Sequence, residues 1–549
     1  MDKNKENHYY HGNPLNSDDF GKIKQLEKIL DEPIPQEDTI GNFTFGYTSD
    51  EKKITGLGLY GKKLETLPEM IGDLKNLQIF IARFNEFSSF PTNFWGLTNL
   101  IKLDLANNNI SNIPESISNL ENLTFLNFSR NPIEVIPEAI CSLKKLNLLA
   151  FNNTMVSKLP DSIGNLTNLD QLWIESAKLH GIPTSVGNLT NLTRLFLYDN
   201  QITKLPETIG NLINLEFLFL RNNLLKSIPN SICNLTKLQG FLFEFNELTY
   251  LPECICELVN LEFLMLHNNH LLEIPKNIGN LTKLAKLTLY ENQLTELPSS
   301  IKKLTNLQHL DIRKNNLVEI PEEIGELTNL EILDLRSNKL RELPVTIGNL
   351  VNLLEMYLDN NFLSYLPESI GDLLQLEDLW VASNNITKLP TTIGKLQNLQ
   401  VLNVSSNELK SLNQDIGKLI SLRNFDARNN HMHYLPETFW NLKNLQEMWI
   451  DYNILQEIPA DIEKLSNLIK LSLRGNFIHA IADEIGQLSK LTHLNLRKNE
   501  FVTIPETLVE LKNLQNLWIK SYHWIETNFS DEIIQQLKNQ GCKVDVLDK

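Results

Sequence analysis

Apolar residues recur along most of this chain in one arrangement. In a frame of 23 residues starting at Leu330, they hold positions 1, 4, 6, 11 and 14, with Asn338 at position 9 and Pro344 at position 15. The same template fits 21 frames, the first starting at Ile54 and the last at Leu514. Positions 3 to 7 alternate between apolar and polar, the period of a strand with one buried face. From Asn85 to Asn499 there are nineteen slots for the asparagine, of which seventeen hold it; Thr154 and Ala177 are the exceptions. No insertion breaks the register. A constant period of this size predicts a solenoid, in which each turn buries its apolar face against its neighbours. Position 9 is expected to turn the chain out of the strand, its amide serving backbone groups of adjacent turns.

The motif L-x-x-L-x-L-x-x-N-x-L followed by L-P-x-x-I-G-x-L resembles the leucine-rich repeat family. Its 23-residue Leu-Pro form is similar to intracellular Ras-scaffold and Ras-group-related repeat proteins. The resemblance covers residues 54 to about 524. It implies an α/β horseshoe solenoid, with a parallel sheet on the concave wall and short helices or turns on the convex wall. Fold alone does not name a function.

Outside the array the pattern changes. Residues 1–16 are polar and expected to be disordered. Residues 17–30 read as an amphipathic helix carrying Phe20, Ile23, Leu26 and Leu30, with Ser17 as cap. A hairpin is expected over 43–60, turning at Ser49-Asp50, so that 17–53 would cover the first edge of the sheet. The repeat array is assigned to 54–524. Residues 525–549 are expected to close the other end, with a helix over 530–539 capped by Ser530, a stop at Gly541 and a strand over 543–547.

The net charge of −17 argues against a nucleic-acid backbone as partner. Much of it has a structural reading. Position 16, next to the proline, is acidic in eleven of twenty copies, from Glu69 to Glu506, where an acid suits the amino end of a short helix. Without those charges the balance is −17 + 11 = −6. No apolar run is long enough to span a membrane, and no secretory signal is read at the start. The five cysteines do not pair by spacing. Cys141, Cys233 and Cys256 stand at position 19, where glycine is commonest, and read as small fillers. A cytoplasmic, reducing location is expected.

No phosphate loop, kinase motif set or nucleophile elbow is present in the sequence. His267-x-x-His270 and His431-x-His433 lack a partner for a metal and read as loop histidines. The chain is therefore expected to be no enzyme, with neither cofactor nor metal. The informative residues are those the template leaves free, on the concave face. Position 5 carries five consecutive large apolar residues, Trp173, Phe196, Phe219, Leu242 and Met265. Tyr198, Phe217, Phe245, Phe263 and Tyr290 adjoin them, and Glu175, Arg194, Arg221, Glu244 and His267 are read as a charged rim. An aromatic stripe roughly 20–25 Å long, at the spacing of strands, is expected to mark a protein-binding surface. Cross-strand packing alone would also account for it. Tyr357 and Trp380 are a second candidate contact, and Asp311/Arg313, Asp334/Arg336 and Asp426/Arg428 read as a salt ladder. The expected function is that of a monomeric scaffold or adaptor in signal transduction; a regulatory subunit or inhibitor of a separate enzyme would use the same surface.

Overall fold

The computed structural model describes residues 9–10, 13–500, 503–519 and 531–545. The chain divides into two compact units, Met1–Asn269 and His270–Lys549. In each, one repeat frame makes one turn of the solenoid. A three-residue strand carries positions 3 to 5, and a short 3-10 helix lies on the opposite side of the core.

The first unit opens with Tyr9–Tyr10 paired antiparallel to Asn13–Pro14. Helix α1, Ser17–Leu30, follows. Its cap is Asn16 rather than Ser17: the Asn16 side chain accepts from Asp19 N at 2.8 Å. The buried Asp19 carboxylate then accepts from Ile54 N at 2.8 Å, and Asn16 N donates to Lys52 O. These two links fasten α1 to the hairpin Phe45–Asp50/Lys53–Leu59. The hairpin turns at Glu51 and Lys52, two residues beyond the expected Ser49-Asp50, with both residues left-handed (φ 45° and 66°). Left-handed central residues match the twist of a two-residue hairpin. From Lys53–Leu59 onward the strands add in parallel, one per frame, to Phe263–Met265.

The second unit repeats this from Lys286–Thr288 to Asn516–Trp518, and Lys543–Asp545 adds as a last parallel strand. Before it lies α2, Asp531–Asn539, which ends with Gly541 left-handed at φ 89°. The expected cap Ser530 lies outside the described residues.

The asparagine column is buried and hydrogen-bonded as its chemistry predicts. Asn338 donates from Nδ2 to Leu335 O of its own turn and Ile312 O of the turn before, both at 3.0 Å. Its Oδ1 accepts from Leu317 N at 3.1 Å. The turn out of the strand, however, is made one residue earlier. Position 8 is left-handed in all nineteen slots, from Phe84 (φ 56°) to Lys498 (φ 58°). Position 9 braces that turn instead of making it. At the two exceptions each affected carbonyl keeps one donor: Thr154 Oγ1 serves Phe151 O, and Asn200 Nδ2 serves Ile174 O.

On the helical side, the proline precedes the 3-10 helix as an extended residue, and the acid is the first helical residue, as in Pro206 and Glu207–Asn211. Acids here reach the next turn. Glu368 accepts from Thr391 N and Thr392 N at 3.1 and 3.0 Å, which holds its carboxyl below the usual range despite the cost of desolvation. Position 19 of one turn lies against position 17 of the next. A Cβ on Gly210 would come within 2.2 Å of Ser231 O, so only glycine fits that approach without displacement.

The same offset corrects the reading of the cysteines. Cys233 holds position 19 and Cys254 holds position 17 of the following turn. They form a disulfide with a Cα–Cα distance of 5.7 Å across a sequence separation of 21. That separation is one repeat less two residues, which spacing rules for isolated motifs do not register. At position 15 of one frame Ala482 stands in place of the proline; its N–H donates to Ile458 O, and Glu457–Ile458 pairs with Ala480–Ile481 as a small parallel ladder.

Candidate functional site

Positions 4 and 6 of each strand enter the core, so positions 3, 5 and 7 form rows on the other face of the sheet. In the first unit the strand register places Trp173, Phe196, Phe219, Leu242 and Met265 side by side. The rings pack on each other. Trp173 and Phe196 stack with centroids 5.8 Å apart, and Phe196 and Phe219 stack at 4.7 Å and 11°. Each of the five is half-buried.

The position-5 row is deeper than expected. Ile81, Asp104, Ala150, Thr288, Asp311 and Asp334 are all buried. Strands about 4.8 Å apart bring neighbouring side chains of a row into contact, and the rows at positions 3 and 7 wall it on both sides. Two supposed rim charges are also inside: Glu244 is only 3% exposed and His267 9%.

Phe217 and Phe263 flank the stripe on the position-3 row, with Gly240 between them. Phe217 leans into the gap that Gly240 leaves. A Cβ at residue 240 would lie 2.9 Å from Cδ1 of Phe217. There Phe217 meets Phe219 edge-on, with centroids 6.0 Å apart. Phe263 is 38% exposed. A glycine in a strand often marks such a close approach, and Gly240 is the signal for it in the sequence.

On the position-7 side, Tyr198 donates from its hydroxyl to Glu175 Oε2 at 2.5 Å. Burial and that bond push the tyrosine up to about 12. Burial raises Glu175 as well, against the lowering effect of the same bond. Arg221 reaches over the ring of Phe245 at 5.3 Å, and its Nε stands 3.9 Å from Glu244 Oε1. Phe245 rests edge-on against His267 and is left-handed at φ 54°, a costly conformation for an aromatic residue. Tyr198, Asp199, Phe219, Arg221, Leu242 and Glu244 line a cleft of about 330 Å3. Trp173 Nε1 and Glu244 Oε2, both buried, have no hydrogen-bond partner among the described residues.

Tyr290, Tyr357 and Trp380 belong to the second unit. The Tyr290 ring lies beneath Arg313 at 4.2 Å. Tyr357 pairs in register with Trp380, with ring centroids 6.1 Å apart, under Arg336 at 4.7 Å. The Asp-x-Arg pairs close mainly within a strand. Arg336 grips Asp334, and Arg428 grips Asp426, each through Nε and Nη2. Only Arg313 also crosses, to Asp334 at 3.3 Å.

Burial and the neighbouring Asp334 charge push Asp311 up to about 6. A carboxyl raised above its unfolded value of 3.8 favours folding below that value, and the benefit disappears as pH rises through 6. Asp311→Asn is therefore expected to stabilise the protein on the order of 2 kcal/mol at pH 7.5, with the gain vanishing near pH 4. Chemical denaturation at both pH values measures this; an equal effect at the two would contradict it.

Among the described residues no group of three or more His, Cys, Asp or Glu side chains is placed to hold a metal ion. Among them, too, no helix is long and apolar enough to cross a membrane.

Comparison with known families decides the lineage. The family model described as leucine-rich repeat region matches residues 102–198, 301–387 and 368–453. Related leucine-rich repeat models match 466–521, 190–234 and 260–281. The chain is a leucine-rich repeat protein. Among curated proteins no sequence matches it. Solved structures do. It is similar to a leucine-rich repeat protein of Leptospira interrogans, LIC12759, at 30% identity, covering 80% of this chain and 95% of that one, with a TM-score of 0.49. It is similar to the plant peptide hormone receptor RGFR1, solved in complex with RGF2, at 27% identity over 91% and 92% of the two chains, TM-score 0.63. The Arabidopsis receptor kinase HAESA, solved with the peptide hormone IDA and the co-receptor SERK1, is 27% identical over 88% and 89%, TM-score 0.64. Leucine-rich repeat solenoids of this kind typically bind proteins or peptides.

Proposed function

We propose that this leucine-rich repeat protein binds an extended segment of a protein partner on the sheet face of its first unit. In this reading it acts as a scaffold or adaptor in signal transduction. The observation that carries it is the stacked row Trp173, Phe196, Phe219, Leu242 and Met265, flanked by the partly open Phe217, Phe245 and Phe263. Contiguous aromatic surface of this kind is where binding energy concentrates. The complexes of the peptide hormone receptor RGFR1 with RGF2 and of HAESA with the peptide hormone IDA support the choice of a peptide segment as ligand. Tyr357 and Trp380 would form a separate contact in the second unit. The test is affinity capture with wild type and the Phe219→Asp/Met265→Asp variant in parallel. A partner held only by wild type supports the reading, and equal recovery rejects it.

The Cys233–Cys254 disulfide favours an oxidising compartment over the cytoplasm that the sequence suggests. Protein isolated from its source under alkylating conditions is then expected to show three reactive thiols after denaturation. Five would place it in a reducing compartment. Closing a loop of this length stabilises by about 3 kcal/mol on the chain-entropy account, so reduction should lower the unfolding midpoint of the first unit.

A further inference from the structure

The cleft beside the aromatic row has a charge balance that its own residues leave incomplete. Glu244 is 97% withdrawn from solvent by the complement of its 3% exposure, and it lines the cleft. Among the described residues its Oε2 has no hydrogen-bond partner. The cation nearest to it in the cleft wall, Arg221, stands 3.9 Å from the other oxygen, and more than half of the Arg221 side chain is in solvent. Asp199 lines the same cleft, and Glu175 stands behind Tyr198. Two carboxylates, Glu244 and Asp199, thus line the cleft beside one guanidinium. Arg194 does not correct this, because its guanidinium lies over Phe217 on the opposite row. The carboxylates of Asp199 and Glu175 already accept bonds, from Asn222 Nδ2 and Ser176 Oγ in one case and from Tyr198 in the other. Glu244 does not. A buried carboxylate with an unsatisfied oxygen is costly to keep, and an incoming cation that hydrogen-bonds to it recovers that cost.

The walls of the cleft suit the same ligand. Phe219 and Tyr198 present aromatic surface and Leu242 an aliphatic one, which together match a charged head on an apolar stem. A cleft of about 330 Å3 takes one long side chain, not a folded element.

We propose that this cleft is a subsite for one lysine or arginine side chain of the bound segment, with Glu244 as its anchoring carboxylate and Asp199 as a second attracting charge. This rests on the reading of the sheet face as a peptide-binding surface and adds the chemistry of the ligand. The protein's net charge of −17 adds a longer-range attraction for basic segments.

The test uses a displayed library of random twelve-residue peptides, selected against the full-length protein and three variants, Glu244→Gln, Asp199→Asn and Phe219→Asp. Glu244→Gln preserves shape and removes the charge, and Asn tolerates the left-handed backbone of residue 199 (φ 55°). Wild type is expected to enrich peptides with Lys or Arg at one fixed position beside apolar residues. Glu244→Gln should lose that basic position while still enriching apolar peptides, Asp199→Asn should weaken it, and Phe219→Asp should enrich nothing. A selected peptide remade with norleucine at the basic position should bind wild type at least tenfold more weakly, and bind Glu244→Gln unchanged. Enrichment that needs Phe219 but shows no basic position, or a basic position that survives in Glu244→Gln, overturns the subsite alone. Enrichment independent of Phe219, or none by wild type, overturns the peptide-binding reading and the subsite with it.

Discussion

Asn338→Ala is expected to destabilise the second unit by about 3 kcal/mol and to expose one amide above all others, that of Leu317. The reason lies in how many partners each group retains. Ile312 O loses Asn338 Nδ2 but keeps Asn315 Nδ2 at 3.0 Å; Leu335 O keeps Asn361 Nδ2 at 3.0 Å. The N–H of Leu317 loses the oxygen that it reaches at 3.1 Å, in a buried setting. Two redundant bonds at roughly 1 kcal/mol each and one orphaned donor make up the loss. Hydrogen exchange should show Leu317 opening first, with protection falling in the flanking turns and little change further off, because each turn contacts only its neighbours. Unchanged protection at Leu317 would contradict this account. The chain contains the reverse case. Ala177→Asn should add stability, since Phe151 O and Ile174 O each have room for a second donor, and the amide of Val156 stands where the other turns receive an asparagine oxygen.

The array was legible because its constraints repeat. A strand with one buried face, an asparagine that braces neighbouring turns and a proline that leads into a short helix each recur at a fixed step, so frame and register could be read residue by residue. The features that escaped depend on the offset between turns. The left-handed residue at position 8 is asparagine in six of the nineteen slots, but Phe84, Arg130, Glu291 and Lys314 hold it too, so residue type alone does not mark it. The Cys233–Cys254 pair becomes visible only once position 19 is known to face position 17 of the next turn. The candidate site divides in the same way. Alternation alone identified the aromatic row. The depth of that row, the lean of Phe217 over Gly240 and the burial of Glu244 arise from contacts between strands that a single strand's sequence does not contain.

Replacing Phe219 and Met265 together by Asp is expected to reduce partner affinity by more than a hundredfold while leaving the solenoid folded. Two aromatic or long apolar anchors at the centre of an interface commonly carry 2 kcal/mol or more apiece, and a carboxylate in each place adds desolvation against an apolar ligand. The fold has less at stake. Phe219 loses its stack on Phe196 and its edge contact with Phe217, worth about 0.5–1.5 kcal/mol per ring pair. Leu218 and Leu220, on either side of it, remain in the core, and Asn223 still bonds Leu220 O and Leu197 O. Met265 sits between Leu264 and Leu266, which are likewise buried. A modest fall in the unfolding midpoint is therefore expected alongside the loss of binding. Phe219→Leu separates the two effects: it keeps apolar volume and removes the ring, so it should stay near wild-type stability yet bind noticeably more weakly. Glu115→Lys, an exposed site on the helical side, should change neither. Binding retained by the double variant at normal stability would make the stacked row a device for holding the sheet together, and Tyr357 with Trp380 would become the surface to test.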